Sequence, residues 1–304
     1  MMIQSALLVS FSLYLTYLGA SRTLKGALGL STLINLNRSA TGAVVIASIT
    51  ALPELTSSVA ATFMGSSHLA MGNILGSNIY NLPLLIGLAG LVGEFEITNH
   101  VAEQCLMLVV INLVVASTTI ITGTVSTGLS VLLLGLYLLF LYRQLQKGEE
   151  CEQETCSIRQ ATTTLVTGGV ALILGSFILV NNAVGIMNTF NIKPFFVGVV
   201  MSLGAVLPEV AVSLFSAVKG EHEISVGNIV GDNVITITLV LGIVSLLRPV
   251  QVTTSEILTT IPFTIAFTAI IYMMHIKGWI VTRRRAILFL VSALLILVFQ
   301  LVIV

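Results

Sequence analysis

The chain has 304 residues, of which 56% are hydrophobic and only 9% are charged, and its mean hydropathy is +1.05. Its 13 basic and 13 acidic residues give a formal net charge of zero, which argues against a nucleic-acid partner. A soluble domain has roughly 25% charged residues, so this chain could not cover a water-facing surface. Three cysteines make no disulfide framework, and we expect Cys151 and Cys156 to be reduced thiols.

Apolar runs of about 20 residues recur along the chain, each long enough to cross a hydrocarbon core of ~30 Å. They predict an all-α polytopic membrane protein with ten transmembrane helices. The predicted segments are 2–20, 40–64, 69–92, 102–121, 127–146, 161–184, 195–218, 223–246, 255–275 and 284–304. The first segment lacks a basic leader and reads as a span, not as a cleaved signal.

The polar stretch 147–160 (KGEECEQETCSIRQ) divides the chain into two predicted units of five spans, residues 1–146 and 161–304. We expect this linker to be cytoplasmic. With the N-terminus outside, the loops after odd-numbered spans hold every basic residue except Lys193 and Arg248. This positive-inside pattern predicts an N-out and C-out orientation.

A shift of 155 residues aligns 43–87 with 198–242 without a gap, and fourteen of the 45 aligned positions are identical. The identities include the Leu-Pro-Glu of each segment and several glycines and asparagines, which are not the residues that two apolar helices share by chance. Because the shift contains five spans, equivalent helices cross in opposite directions. We therefore predict an inverted repeat with a site between its halves, built on about 42–87 and about 197–242. An old duplication retained only for packing is the alternative.

Glu54 and Glu209 are the central candidates, because each lies in the middle of an apolar segment. An ionised carboxylate there costs about 2.5–3.5 kcal/mol on insertion scales. No Lys or Arg lies at matching depth, so the sequence predicts neutralisation by a bound cation or a proton. Two carboxylates at one site would suit a divalent ion such as Ca²⁺, which takes six to eight oxygen ligands.

Pro53 and Pro208 immediately precede the two glutamates. Each removes a backbone N–H and frees a carbonyl about one turn earlier, near Ile49 and Thr50 in the first copy. Freed carbonyls at membrane depth are tolerated where they line a cavity, and there they can bind ions. A simple helix kink is the alternative for a single proline, but the paired, in-register Pro-Glu favours a site.

The third and eighth predicted spans add further oxygen atoms. Asn73, Ser77 and Asn81 lie at i, i+4 and i+8 on one helix face, and the repeat pairs them with Asn228, Asp232 and Thr236. Asp232 is a third intramembrane acid. The stripe is predicted to complete a cation cage, and interhelical hydrogen bonding is the alternative.

The segments ITALPELTSSVAA with MGNILGSNIYNLPLLIG, and GAVLPEVAVS with VGNIVGDNVITITLVLG, resemble the two α-repeats of the Ca²⁺/cation antiporter superfamily. The resemblance is closest to the prokaryotic sodium/calcium exchangers. It implies alternating-access exchange of Ca²⁺ for Na⁺ across the cell (inner) membrane by a single chain, with no cofactor. It also implies cation ligands, namely Glu54, Glu209, Thr50, Ser77, Asn81 and the backbone oxygens of Ala47 and Ser202.

The second repeat departs from the family pattern. The Thr-Ser before Leu-Pro-Glu is Thr50-Ala51 in the first copy and Ala205-Val206 in the second, so three hydroxyls are missing. Asp232 replaces a serine and Thr236 replaces an acid or amide. Burial of an unpaired charge is costly, so Asp232 is a candidate proton carrier, and H⁺-coupled exchange of Ca²⁺ or another divalent ion stays open. A cation channel and a transport-inactive ion sensor stay open too, whereas no enzymatic motif is present.

Overall fold

The computed structural model describes residues 2–33, 36, 38–63, 65–145, 157–187 and 206–303, and these are mostly helical. The α-helices are α1 (Met2–Leu33), α2 (Arg38–Ala40), α3 (Ala47–Thr50), α4 (Leu52–Phe63), α5 (Ser67–Val92), α6 (Asn99–Thr122), α7 (Thr127–Leu145), α8 (Ile158–Met187), α9 (Leu207–Val218), α10 (His222–Ile235), α11 (Leu241–Leu247), α12 (Thr254–Leu258), α13 (Ile261–Ile276) and α14 (Arg283–Ile303). Two π-helices, π1 (Thr41–Ile46) and π2 (Thr236–Val240), join α2 to α3 and α10 to α11. The short strands β1 (Thr124–Val125) and β2 (Val250–Gln251) pair antiparallel.

Within the described residues, six helical stretches are long and apolar enough to cross a membrane. They are Arg38–Phe63, Ser67–Val92, Asn99–Thr122, Thr127–Leu145, His222–Leu247 and Thr254–Ile276. Each overlaps a segment predicted from the sequence, so the helical membrane character is confirmed. The count of ten spans, their orientation and the two five-helix units stay predictions. Part of segment 195–218 and most of linker 147–160, including both of its cysteines, lie outside the described residues.

Two of these stretches form the centre of the molecule. In the apolar 18-residue core of each stretch, 83% of Ser67–Val92 and 83% of His222–Leu247 is buried inside the protein. The corresponding shares are 33% for Asn99–Thr122 and 28% for Thr127–Leu145. The outer helices expose large apolar side chains, which in a membrane protein face lipid. The central pair carries the polar stripe of the first repeat and its counterpart in the second, so both polar sets are inside the protein.

The segment α2–π1–α3 crosses α10 in backbone contact. A Cβ atom added to Gly42 would lie 2.2 Å from the carbonyl oxygen of Ile224, and one added to Gly231 would lie 2.4 Å from the Cα of Ala43. Only glycine permits this approach, as in the small-residue interfaces of membrane helices. The contact brings the helical segment before Glu54 against the helix that carries Asp232.

The helices α1 and α8 are in similarly close contact. A Cβ atom on Gly26 would lie 2.4 Å from the backbone nitrogen of Leu165, and one on Gly168 would lie 2.5 Å from that of Thr23. These helices are the first and sixth in the predicted count. They pack as a tightly fitted pair, and α1 also contacts π1 and α9.

The backbone reproduces the 155-residue repeat at two kinds of turn. Ala51 (φ −72°, ψ −5°) and Val206 (φ −72°, ψ −8°) have almost the same conformation just before α4 and α9. Just after those helices, Gly65 and Gly220 have φ values of +79° and +81°, a left-handed conformation that favours glycine. Both Pro-Glu helices therefore begin and end in the same way.

We expect Gly231→Ala to lower the stability of the folded protein by about 1–3 kcal/mol, because the new methyl group must displace the backbone of Ala43. The control is Gly135→Ala, since a Cβ atom at Gly135 has no other atom within 4 Å. The measurement is the Tm of each purified variant in detergent. Equal Tm values for the two variants would contradict this account of the packing.

Candidate cation-binding site

Glu54 is the third residue of α4 and is fully buried. α3 ends at Thr50, and the chain turns at Ala51 before α4 begins. Pro53 contributes to this interruption, because it has no N–H to offer the carbonyl one turn earlier. Neither carboxylate oxygen of Glu54 has a hydrogen-bond partner among the described residues.

Glu209 occupies the same position in α9 and is also fully buried. Pro208 lies in the first turn of this helix, which follows the turn at Val206. Neither carboxylate oxygen of Glu209 makes a hydrogen bond of ordinary length in the described part of the chain, and the Thr50 hydroxyl of the first repeat interacts with this carboxylate at longer range. The helices α4 and α9 thus place two buried carboxyl groups in equivalent positions, and their four oxygen atoms have no close hydrogen-bond partner among the described residues.

Asp232 is a third buried acid close to this pair. Its carboxyl group is close enough to interact electrostatically with those of Glu54 and Glu209, which also interact with each other. No Lys, Arg or His of the described residues forms an ion pair with any of the three. The protein therefore gathers three buried carboxyl groups, and the described residues supply no cation to balance a charge on them, as the sequence predicts for the two glutamates.

Asn73 fixes the position of α4. Its side-chain amide lies 2.9 Å from the hydroxyl oxygens of both Ser57 and Ser58, and 3.3 Å from the backbone carbonyl oxygen of Glu54. The predicted ligand atom, Oδ1 of Asn73, is buried and has no partner among the described residues. Asn73 thus binds α4 through its side-chain nitrogen, and its side-chain oxygen stays available for a ligand.

Asn228 makes the equivalent contact in the second repeat, where its amide donates to the hydroxyl of Ser213 at 3.0 Å. Its Oδ1 lies 3.5 Å from the hydroxyl of Thr50 in the first repeat. The residue that the repeat pairs with Thr50 is Ala205, which has no hydroxyl and lies outside the described residues. The first repeat therefore has a hydroxyl, that of Thr50, beside the asparagine of the other repeat, and the second repeat has no hydroxyl at the matching position.

Asn81 and Asp232 join the two central helices. The amide nitrogen of Asn81 lies 2.5 Å from Oδ2 of Asp232, whose other oxygen, Oδ1, has no partner among the described residues. The repeat-related pair is Thr236 and Ser77. Ser77 instead donates to the carbonyl of Ile74 at 3.0 Å, and the Thr236 hydroxyl has no partner in the described part of the chain. Asn81 and Asp232 thus form one hydrogen bond between the repeats, whereas the equivalent residues Thr236 and Ser77 form none among the described residues.

The two π-helices were not predicted, and they adjoin the site. π1 leads directly into Ala47, and π2 begins at Thr236. At the positions of α5 that match π2, the helix stays α-helical and contains Pro83. Single π turns are rare and often occur at functional sites, because they shift the helix register and redirect side chains.

The remaining predicted ligands are only partly testable against the structure. The Ala47 carbonyl is buried, accepts the N–H of Ala51 at 3.0 Å, and lies 3.4 Å from the Thr50 hydroxyl. Ser202 lies outside the described residues, as Ala205 does. Among described residues, no three His, Cys, Asp or Glu side chains converge closely enough to hold a metal ion alone. A cation here would also need hydroxyl, amide or carbonyl oxygens, which is the ligand set that Ca²⁺ accepts.

The predicted stripe on α5 divides between two neighbours. The side chains of the stripe are no more buried than the rest of α5, because α5 is buried on all sides along its middle part. The members of the stripe differ in their contacts, since Asn73 bonds to α4 and Asn81 bonds to Asp232 on α10. The alternative of interhelical hydrogen bonding therefore accounts for the two amide nitrogens, and it leaves their oxygens free.

Comparisons with known proteins identify the family and the fold of the chain. A family model described as sodium/calcium exchanger protein matches residues 4–146 and 160–304. The chain is 32% identical over 227 residues to the inner membrane protein YrbG of Escherichia coli (strain K12), a match covering 69% of this chain and 70% of that one. It is 24% identical over 312 residues to the sodium/calcium exchanger MaX1 of Methanosarcina acetivorans, covering 87% and 89%. The fold matches a structure of the sodium-calcium exchanger NCX_Mj soaked with Na⁺ and Sr²⁺, with a TM-score of 0.84, 24% identity, and coverage of 98% and 99%.

We expect Asn73→Ala to lower the unfolding free energy by about 1–3 kcal/mol, because it leaves buried serine hydroxyls on α4 with fewer partners. Asn112→Ala is the control. Asn112 is equally buried, but its amide bonds only to the carbonyl of Leu108 in its own helix, at 2.9 Å. Thermal unfolding of both variants checks the prediction. A larger loss for Asn112→Ala would show that Asn73 does not anchor α4.

Proposed function

Because the chain belongs to the sodium/calcium exchanger protein family, we propose that it is a secondary active antiporter that exchanges Ca²⁺ for Na⁺ across the cell membrane by alternating access. The family match confirms the resemblance to the Ca²⁺/cation antiporter superfamily, and with it the assignment to membrane transport. The observation that carries the proposal is the pair of fully buried glutamates with four unpartnered oxygens among the described residues.

The choice of Ca²⁺ rests on charge and ligand type. Glu54 and Glu209 together carry two negative charges, which one divalent cation would balance. The neighbouring oxygens of Asn73, Thr50 and Ala47 are neutral and hard, as Ca²⁺ prefers. Soft or nitrogen ligands, which would favour transition metals, are absent from the set of residues proposed here.

The same charge explains why transport would be coupled. When the site holds no ion, Glu54, Glu209 and Asp232 repel one another in a medium that screens charge poorly. A conformational crossing of the empty protein is therefore costly. The conformational change becomes favourable when either Ca²⁺ or monovalent cations neutralise the carboxylates. Exchange of the two ions is then faster than uncoupled passage of one of them.

Asp232 supports a second candidate, in which H⁺ replaces Na⁺ as the coupling ion. It places a third carboxylate one turn from the position where the family pattern has an acid or amide, which is Thr236 in this chain. The missing hydroxyls of Ala51, Ala205 and Val206 also reduce the oxygens available to Na⁺. A carboxylate that takes up a proton in one half of the cycle would provide the coupling instead.

We expect Glu54→Gln and Glu209→Gln each to reduce Ca²⁺ uptake into proteoliposomes to the background of empty vesicles, while the variants still fold. The amide keeps the size of the side chain and removes the charge that the cation needs. Glu256→Gln is the control, because Glu256 is also a buried acid but pairs with His68, at 2.8 Å between Oε1 and Nδ1. Normal uptake by either site variant would refute the site.

The coupling ion can be identified by comparing uptake driven by an outward Na⁺ gradient with uptake driven by an outward H⁺ gradient. Sodium coupling predicts that Asp232→Asn retains Na⁺-driven uptake, because an asparagine can still accept the bond from Asn81. Proton coupling predicts that the wild-type protein responds to the H⁺ gradient and that Asp232→Asn abolishes this response. Conductive Ca²⁺ flux without either gradient would contradict both versions and indicate a channel.

A further inference from the structure

A groove of about 310 Å³ lies between α13 and α14, away from the candidate cation site. Its lining residues are Phe267, Ile270, Met274, Trp279, Arg285, Leu288, Phe289 and Ser292. Each of the two helices packs against α5. The rings of Phe267 and Phe289 meet across the gap with their centroids 6.1 Å apart. The groove is therefore an apolar slot with one charged side chain in its lining.

The charged side chain belongs to a cationic cluster formed by Lys277, Arg283, Arg284 and Arg285. The guanidinium of Arg285 lies 4.9 Å from the ring centroid of Trp279, and the ammonium of Lys277 lies 5.5 Å from the same centroid. Arg285 also donates to the carbonyl of Ile280 at 2.5 Å, which fixes its head group beside the indole. The indole ring and the two cationic groups thus form one end of the groove.

Few acidic residues lie near this cluster in the sequence. The chain contains no Asp or Glu from residue 257 to its last residue. Glu94 and Glu96 flank Phe95, which pairs with Val281 of the neighbouring loop. Within the described residues, however, neither glutamate forms an ion pair with the cluster. Positive charge therefore remains available at the end of an apolar slot.

We propose that this groove binds an anionic phospholipid, whose phosphate contacts Arg285 and Lys277 and whose acyl chain lies along Phe267, Ile270 and Leu288. An apolar slot alone would accept any lipid tail, and a basic loop alone would serve only as a topology anchor. Because the basic loop adjoins the apolar groove, the site favours a molecule with an anionic head and an apolar tail. Basic pockets between transmembrane helices bind such head groups, and an interfacial Trp lies at the depth where heads meet tails.

A lipid in this groove would fill the space between two helices that support α5. The same support includes a bond from the Tyr80 hydroxyl of α5 to Oε1 of Gln300 on α14, at 2.5 Å. α5 carries Asn73 and Asn81. The bound lipid would therefore stabilise the helix that positions part of the cation site, although its binding does not require the transport activity.

The test uses the purified full chain in a neutral detergent, titrated with phosphatidylglycerol or with phosphatidylcholine of the same acyl chains. Native mass spectrometry measures the fraction of protein with bound lipid. We expect phosphatidylglycerol to bind at least about fivefold more tightly, since each basic residue near the head group contributes about that factor. Equal affinity for the two lipids would overturn the proposal.

Variants separate the head group from the tail. Arg285→Gln and Lys277→Gln, the latter at an exposed position, should each reduce the preference for phosphatidylglycerol by about fivefold. Arg143→Gln is the matched control, because Arg143 is an exposed basic residue near the end of α7 that does not line the groove. An equal loss in Arg143→Gln would show a general surface-charge effect and overturn the assignment of this groove.

Ser292→Phe tests the slot itself, because the larger side chain would fill the groove beside Phe289 without changing any charge. We expect it to abolish the tight binding of phosphatidylglycerol. Unchanged binding in Ser292→Phe would overturn the proposed position of the acyl chain. Competition by soluble glycerol phosphate as effective as that by phosphatidylglycerol would also overturn it, because the site would then recognise only the anion.

Discussion

A carboxylate inside a membrane protein requires a neutralising partner, and the described residues supply none for Glu54 or Glu209. This requirement explains most of the architecture around them. Both glutamates lie in the first turn of a helix that starts after a turn residue, Ala51 or Val206. Asn73 and Asn228 hold those helices through serine hydroxyls, so the carboxylates keep all their oxygens for an external ligand. We propose a transported cation as that partner.

The two halves supply the same scaffold but different ligands. Gly42 and Gly231 bring the segment before Glu54 into backbone contact with the helix of Asp232, so residues of both halves reach one region. There the symmetry fails, because Asn81 binds Asp232 while the repeat-related Ser77 and Thr236 form no such pair. In the function that we propose, this asymmetry would allow the two directions of the cycle to differ in the ion that neutralises the site.

The sequence predicted the features that depend on local chemistry. Pro53 and Pro208 marked the starts of α4 and α9, and the backbone angles at Ala51 and Val206 agree closely. The repeat also indicated which residues would have equivalent contacts, as the two asparagine–serine bonds show. The sequence could not indicate that Asn81 would bond to Asp232, because that contact depends on the relative placement of two helices. It also could not predict π1 and π2, since no residue type specifies a shift in hydrogen-bond register.

Equilibrium binding of radioactive Ca²⁺ to the purified protein in detergent tests the central claim most directly, because it needs neither a gradient nor a conformational cycle. The account predicts saturable binding that a large excess of Na⁺ or acidification displaces. It also predicts that binding disappears when Glu54 and Glu209 are both replaced by glutamine. Saturable Ca²⁺ binding that survives in the folded double variant would contradict the account, because the cation would then be held elsewhere.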